Sequence, residues 1–290
     1  MVTNKDTENS TPSAPTPADN DITMLPEVTE QDIAEAIEDE FGAIYSKDGK
    51  RLYEFNKDFW GDEDDIVIRD GTEIIWDDAF SDCTHLESLN IPPSVTIIGH
   101  RAFEGCSGLT SINIPSGVTA IGHMAFEGCS SLTSINIPSG VTTICCRAFR
   151  DCKNLTSITI PDNAISIGDG AFDHCSRLTS ITIPPSVTTI GKEAFFSCKS
   201  LTSITIPPSV TAIGDSAFSH CESLTSIAIP PSVTVIGEEA FYECESLTSI
   251  NIPLSVDTIE DFAFFNCPNL DLTTKSEIRR RFGKRVFGLW

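Results

Sequence analysis

Apolar positions in this chain recur every 23 residues. Leu86, Leu109, Leu132, Leu155, Leu178, Leu201, Leu224, Leu247 and Leu270 keep that interval without a break, and a cysteine stands three residues before each, from Cys83 to Cys267. An Ala-Phe pair holds the same register from Ala79-Phe80 to Ala263-Phe264, and eight prolines follow it from Pro92 to Pro253. The consensus unit reads A-F-x-x-C-x-x-L-T-S-I-x-I-P-x-x-V-T-x-I-G-x-x. Within one unit, Leu109-Thr110-Ser111-Ile112-Asn113-Ile114 ends in apolar-polar-apolar alternation, the signature of a short strand with one buried face. Pro115 has no N–H to donate and ends the ladder. Val118 and Ile121 form a second apolar pair, and Gly122 permits a tight corner. Ala125-Phe126 and Cys129 then supply a ring and small fillers before the next strand.

No unit can bury its apolar side alone, whereas stacked units lay each Phe, Leu, Ile and Cys on its counterpart one coil away. The pattern therefore predicts a repeat solenoid of nine coils, on the order of 40–45 Å long at about 4.8 Å per strand. In such a stack the cysteine file lies between buried Phe and buried Leu and behaves as a row of small hydrophobes. Mostly reduced thiols are expected, since neighbouring sulfurs would have to turn along the solenoid axis to pair.

A solenoid needs caps. Residues 1–28, rich in Ser, Thr, Pro, Asn and Asp, read as a disordered tail. Residues 29–82 read as an N-terminal cap. Thr29 caps a helix from Glu30 to about Phe41, Ala43–Ser46 and Arg51–Phe55 form a hairpin with Asp48-Gly49 at its turn, and a partial repeat starts near 66. Phe59 and Trp60 are expected to close that end. Residues 83–273 form the solenoid, and 274–290 a basic capping helix begun by Thr274 and carrying Ile278 and Phe282.

Charge narrows the function. The net charge of −23 divides into −17 over residues 1–82, −11 over 83–274 and +5 over 275–290. An acidic body repels phosphate backbones, so nucleic acid is not an expected partner. No stretch approaches the ~20 apolar residues of a membrane span, and Met1–Asp6 lacks the apolar core of a secretory leader. That start predicts a cytoplasmic chain, or a mature fragment whose leader was removed. No P-loop, dinucleotide fingerprint, nucleophile elbow or zincin motif is present, so neither an enzyme nor a cofactor is expected. Asp62-Glu63-Asp64-Asp65 lacks the glycine and the terminal Glu of a calcium loop and reads as acidic surface.

The unit C-x-x-L-T-S-I-x-I-P-x-x-V-T-x-I-G-x-x-A-F resembles the BspA-like, or Treponema pallidum-type, leucine-rich repeats over residues ~66–273. The resemblance implies an α/β-type leucine-rich-repeat horseshoe with a parallel sheet on its concave side and short turns, 3-10 or helical segments on its convex side. It also implies protein–protein interaction, often adhesion to host or matrix proteins at a microbial surface.

Two files of outward strand positions are the candidate binding residues: Ser111, Ser134, Ser157, Ser180 and Ser203, and beside them Asn113, Asn136, Thr159, Thr182 and Thr205. Neither file contains an aromatic or a charge, although interface hot spots favour Trp, Tyr and Arg, so loops, the acidic edge and the caps stay open as contributors. The file after the corner glycine places His100, His123 and Cys146 on adjacent coils, where imidazole and thiolate are candidate ligands for zinc or copper; the alternative is a variable exposed corner. The expected function is a non-catalytic scaffold for unidentified protein partners. A structural, self-associating solenoid remains open, as does a hydroxyl ladder binding ice or glycan, the latter supported by Thr96, Thr119, Thr142, Thr188, Thr211 and Thr234.

Overall fold

The computed structural model describes residues 25, 27–56 and 66–289. Most of the expected N-terminal tail, the Phe59-Trp60 pair, Asp62–Asp65 and Trp290 lie outside those residues. The repeats form a solenoid of parallel strands stacked in strict register. Each coil contributes a three-residue strand to one side, where Ser88–Asn90 pairs with Ser111–Asn113, Ser134–Asn136 pairs with Ser157–Thr159, and Ser180–Thr182, Ser203–Thr205, Ser226–Ala228 and Ser249–Asn251 form a third sheet. Pairing is coil to coil at the repeat interval, as in Ser203 with Ser226 and Ile204 with Ile227. The central residue of every one of these strands is buried and both flanking residues are exposed.

A second ladder, which the apolar pair Val118/Ile121 only hints at, turns the far side of each coil. Its strands are two residues long, among them Ile97–Ile98, Ala120–Ile121, Thr143–Ile144 and Thr189–Ile190. Between the ladders the proline carbonyl accepts the N–H of the valine three residues on, as from Val118 to Pro115 at 3.1 Å, closing one turn. The segment bearing Ala-Phe is a run of turns rather than helix. Two residues per coil make this possible by taking the left-handed conformation, the one before Ala-Phe (Met124, φ 58°) and the one before Cys (His220, φ 58°). Amides alternate accordingly between partners. Glu127 donates to Met124 within its own coil, while Phe126 donates to Ala148 in the next.

The core is the set of internal files. Phe80, Phe103, Phe126, Phe149, Phe172, Phe195, Phe218, Phe241 and Phe264 are buried and stack nearly parallel, centroids 5.1 Å apart for Phe80–Phe103 and 5.7 Å for Phe149–Phe172. Offset stacking of this kind adds to the area that each ring removes from water. All eleven cysteines are thiols, and the nine in the file are buried. Eight of those nine donate S–H to the phenylalanine carbonyl 26 residues earlier, as from Cys106 to Phe80 at 3.0 Å and from Cys244 to Phe218 at 3.1 Å. The file thus packs as a small hydrophobe and also serves a buried carbonyl. Burial pushes the Cys129 and Cys175 thiols far above the ordinary range and Cys267 up to about 12.

The corner glycines serve a purpose different from the one their turn position suggests. Gly122 does not have positive φ; a Cβ there would sit 2.6 Å from the amide nitrogen of His100 and 2.7 Å from the carbonyl carbon of Gly99. These glycines allow one coil to lie directly on the next. Cys145 occupies this slot, and the two-residue ladder is interrupted at that point. Its strands form one sheet ending at Ala120–Ile121 and another beginning at Thr143–Ile144. The Phe stack is widest around the same coil, 5.6 Å on one side and 5.7 Å on the other.

The N-terminal cap departs from expectation in one element. Thr29 begins α1 (Glu30–Ala34) with a reciprocal capping box to Asp32, but the helix lasts only five residues. Strand β1 (Ile37–Glu38) then pairs antiparallel with β2 (Ala43–Tyr45). The expected helix to Phe41 fails because Asp39 accepts the amides of Phe41 and Ala43 and Gly42 turns at φ 75°, a local competitor to helix. Strand β3 (Arg51–Phe55) pairs with β2 and in parallel with Ile74–Ile75, so the hairpin serves as an extra rung, with Phe55 stacked on Phe80 at 5.2 Å. At the other end Asp271, not Thr274, caps α2 (Leu272–Phe282), accepting the amide of Thr274 at 2.9 Å. Arg281 is half-buried against the last coil. Its guanidinium donates to the carbonyls of Ile252, Pro253 and Val256, which closes the last coil.

Candidate interaction face

Strand pleating aims alternate side chains to opposite faces, and in each S-I-x strand the isoleucine takes the core. Ser111, Asn113, Ser134, Asn136, Ser157, Thr159, Ser180, Thr182, Ser203 and Thr205 are all exposed, in two parallel files two residues apart. Among the described residues none of these ten side chains has a hydrogen-bond partner within the chain. The threonine immediately before each serine is used differently. Thr110, Thr133, Thr156, Thr202, Thr225 and Thr248 donate their hydroxyls to the carbonyl of the equivalent residue one coil earlier, at 3.0–3.4 Å. In the file considered for ice or glycan, Thr96, Thr119, Thr188 and Thr234 do the same. Those hydroxyls stitch coils together, while the ten of the face keep their donors and acceptors toward solvent.

His100, His123 and Cys146 lie on successive coils and are half-buried. The two imidazoles stack at 5.1 Å and 18°, and His100 Nδ1 accepts the backbone N–H of His123 at 2.9 Å. The same task falls to carboxylates elsewhere in the file: Asp77 accepts the amide of His100, Asp169 that of Lys192 and Asp215 that of Glu238, at 2.7–3.0 Å. This corner therefore favours an acceptor that caps the next coil, which sequence spacing does not reveal. Among the described residues no group of three or more His, Cys, Asp or Glu is placed to hold a metal ion.

One feature of the surface escapes a reading confined to the strands. At the two positions after Ala-Phe, coils toward the N-terminus carry an ionic row in which Arg150 bridges Glu127 at 3.0 Å and Asp173 at 2.9 Å. Toward the C-terminus the row turns aromatic. His174, Phe196, His220, Tyr242 and Phe265 follow one another at centroid distances of 4.9–5.5 Å, each half-exposed. The signal was present in the sequence as Phe196, Tyr242 and Phe265 recurring at one position of the repeat.

Strict coil stacking, the leucine and isoleucine files and the exposed strand face together define a leucine-rich-repeat solenoid, a class made up in general of non-enzymatic scaffolds that bind protein partners. The model of the BspA type leucine rich repeat region, in six copies, matches residues 60–179 and 165–288, and the chain belongs to that family. Among solved structures, a leucine-rich repeat protein from Bacteroides ovatus is similar at 34% identity and a TM-score of 0.62, over 79% of this chain and 54% of that one. The chain thus spans about half the length of that relative. A leucine rich cell surface protein from Faecalibacterium prausnitzii is 27% identical, with a TM-score of 0.49 over 81% of this chain and 87% of that one. The T. pallidum leucine rich repeat protein is 24% identical, with a TM-score of 0.46 over 84% and 91%. No curated protein matches the chain. Among the described residues no helix is long and apolar enough to cross a membrane.

Proposed function

We propose that this chain is a protein-binding scaffold that recognises its partner through the face of the three-residue strands. The observation that carries the reading is the contrast between neighbouring files. Thr110 and its equivalents spend their hydroxyls within the solenoid, whereas Ser134, Asn136, Ser157, Thr159, Ser180 and Thr182 are exposed on stacked parallel strands and, among the described residues, have no partner inside the solenoid. A preorganised row of donors and acceptors loses little entropy when a partner takes it up. Adhesion to host or matrix proteins at a microbial surface is the form of binding we favour, on the strength of the family.

The test has two stages. Partners are first captured with the full chain from host-cell and matrix extracts, and the captured protein's Kd is then measured against variants. Ser157→Arg and Ser180→Arg place bulk at the middle of the face without touching the core, and each should weaken binding by tenfold or more, about 1.4 kcal/mol. Tyr242→Ala on the aromatic row is the comparison. Unchanged affinity in both face variants, with a loss in Tyr242→Ala, would overturn the assignment to the face.

A further inference from the structure

The two ends of the solenoid differ from its sides in the same way and from each other in sign. Of the eight large apolar side chains exposed on the described residues, six lie at the ends: Ile33, Ile37 and Val67 on the N-terminal cap, and Leu254, Leu272 and Leu289 at the other. Leu254 and Leu272 are 89% and 80% exposed, and Ile33 is 65% exposed. Single exposed hydrophobes are ordinary on protein surfaces, but their concentration at sites of this kind marks contact surfaces.

Charge separates the ends. Residues 27–56 contain nine acids (Glu27, Glu30, Asp32, Glu35, Glu38, Asp39, Glu40, Asp48, Glu54) and three bases (Lys47, Lys50, Arg51), a net −6. Residues 275–290 carry +5 on a chain whose net charge is −23. Helix α2 divides its residues by role. Ile278 is buried and Arg281 is bound to the last coil's carbonyls, while Leu272, Ser276, Arg279 and Arg280 form the opposite, exposed stripe, continued by exposed Lys284 and Arg285. At the other end, among the described residues, β1 is hydrogen-bonded to β2 alone and forms the outer edge of its sheet. Alongside it run exposed Glu30, Glu35, Glu38 and Glu40 and the two isoleucines.

From this we infer that the basic C-terminal cap of one molecule docks on the acidic N-terminal cap of a second copy, head to tail along the solenoid axis. Leu272 and Leu289 meet Ile33 and Ile37, and Arg280 and Lys284 face the Glu30–Glu40 carboxylates. The sides of the solenoid are also acidic, but among the described residues only the N-terminal cap joins that charge to an unpaired strand edge and a pair of exposed isoleucines. Two different surfaces meet in this contact, so each copy keeps one of each kind free, and because the contact runs along the solenoid axis the assembly grows as an open linear stack. Its charge component weakens as salt shortens the Debye length from about 10 Å at 0.1 M to about 3 Å at 1 M.

Sedimentation equilibrium on the full chain tests this. At low salt the weight-average mass should at least double between about 1 and 100 µM, as mass action requires, and the increase should shrink at high salt. Ile33→Lys with Glu38→Lys disables one face, and Leu272→Asp with Arg280→Glu the other. All four positions are exposed, and circular dichroism confirms that each double variant is folded. Each variant alone should remain monomeric, while an equimolar mixture, retaining one live face of each kind, should give a dimer and no larger species. A monomeric wild type throughout the range overturns the proposal. So does association that both variants retain, or a mixture that stays monomeric. Binding of the monomeric chain to anionic phosphatidylserine vesicles through Arg280 and Lys284, without self-association, would assign the basic cap to a membrane surface instead.

Discussion

Small residues decide how closely the coils approach. At Gly191 a Cβ would lie 2.7 Å from the amide nitrogen of Asp169 and from the carbonyl carbon of Gly168, both backbone atoms that cannot step aside. Gly191→Ala should therefore destabilise the protein by about 1–3 kcal/mol, the usual cost of overpacking, read as a lowered urea midpoint. The opposite sign is expected at Met124, where a residue with a side chain sits at φ 58°; Met124→Gly relieves a left-handed penalty of about 1–2 kcal/mol, less the entropy that glycine loses on folding. The thiols make a third case. Those of the buried file are held protonated by burial, and only the thiolate attacks an alkylating agent. Half-buried Cys146 should be the first cysteine that iodoacetamide modifies in the native protein, with the file labelled only on unfolding. Peptide mass spectrometry that found Cys152 or Cys198 alkylated at the same rate would contradict this.

At the level of the element, what could be read from the sequence was what the repeat dictates. The S-I-x strand, its exposed pair and the buried Phe, Leu and Cys files follow from periodicity, because a residue identity repeated in stacked coils states which environment it occupies. Features held by single local contacts were not legible. Helix α1 stops short because Asp39 captures two amides, and one aspartate in an acidic segment does not announce that role. The second ladder is two residues wide, too short for alternation to show. Asp271 displaces Thr274 as the cap of α2 for a similarly local reason, and that bond makes a prediction. Its hydrogen bonds with Thr274 hold the Asp271 carboxyl below its usual value of 3.8. A lowered folded-state pKa contributes stability above the unfolded value and loses it as pH falls through the folded one. Amide exchange in the first turn of α2 should therefore quicken below about pH 3.8, and Asp271→Asn, whose amide oxygen still caps, should remove that pH dependence. In the candidate face the positions were legible and the distinction between stitched and unstitched hydroxyls was not, since it depends on where each threonine Oγ1 points.

Over the whole molecule, one continuous core runs from Tyr45 and Leu52 through the nine coils to Val286, yet its hydrogen-bonded ladder is not continuous. Cys145 stands where neighbouring coils have glycine, the two-residue ladder is parted beneath it, and the Phe spacing is widest on either side. Cys145→Gly should let that coil settle onto Ala120–Ile121 and raise the unfolding midpoint, whereas Phe149→Ala at the same level should cost about 3–5 kcal/mol as a core truncation. Repeat proteins propagate order from neighbour to neighbour, so a weak junction has a mechanical meaning. Drawn apart from its two ends, the protein should yield first near residue 145 and lengthen in two steps. The fragment on each side would keep its own sheet of two-residue strands intact after the first rupture.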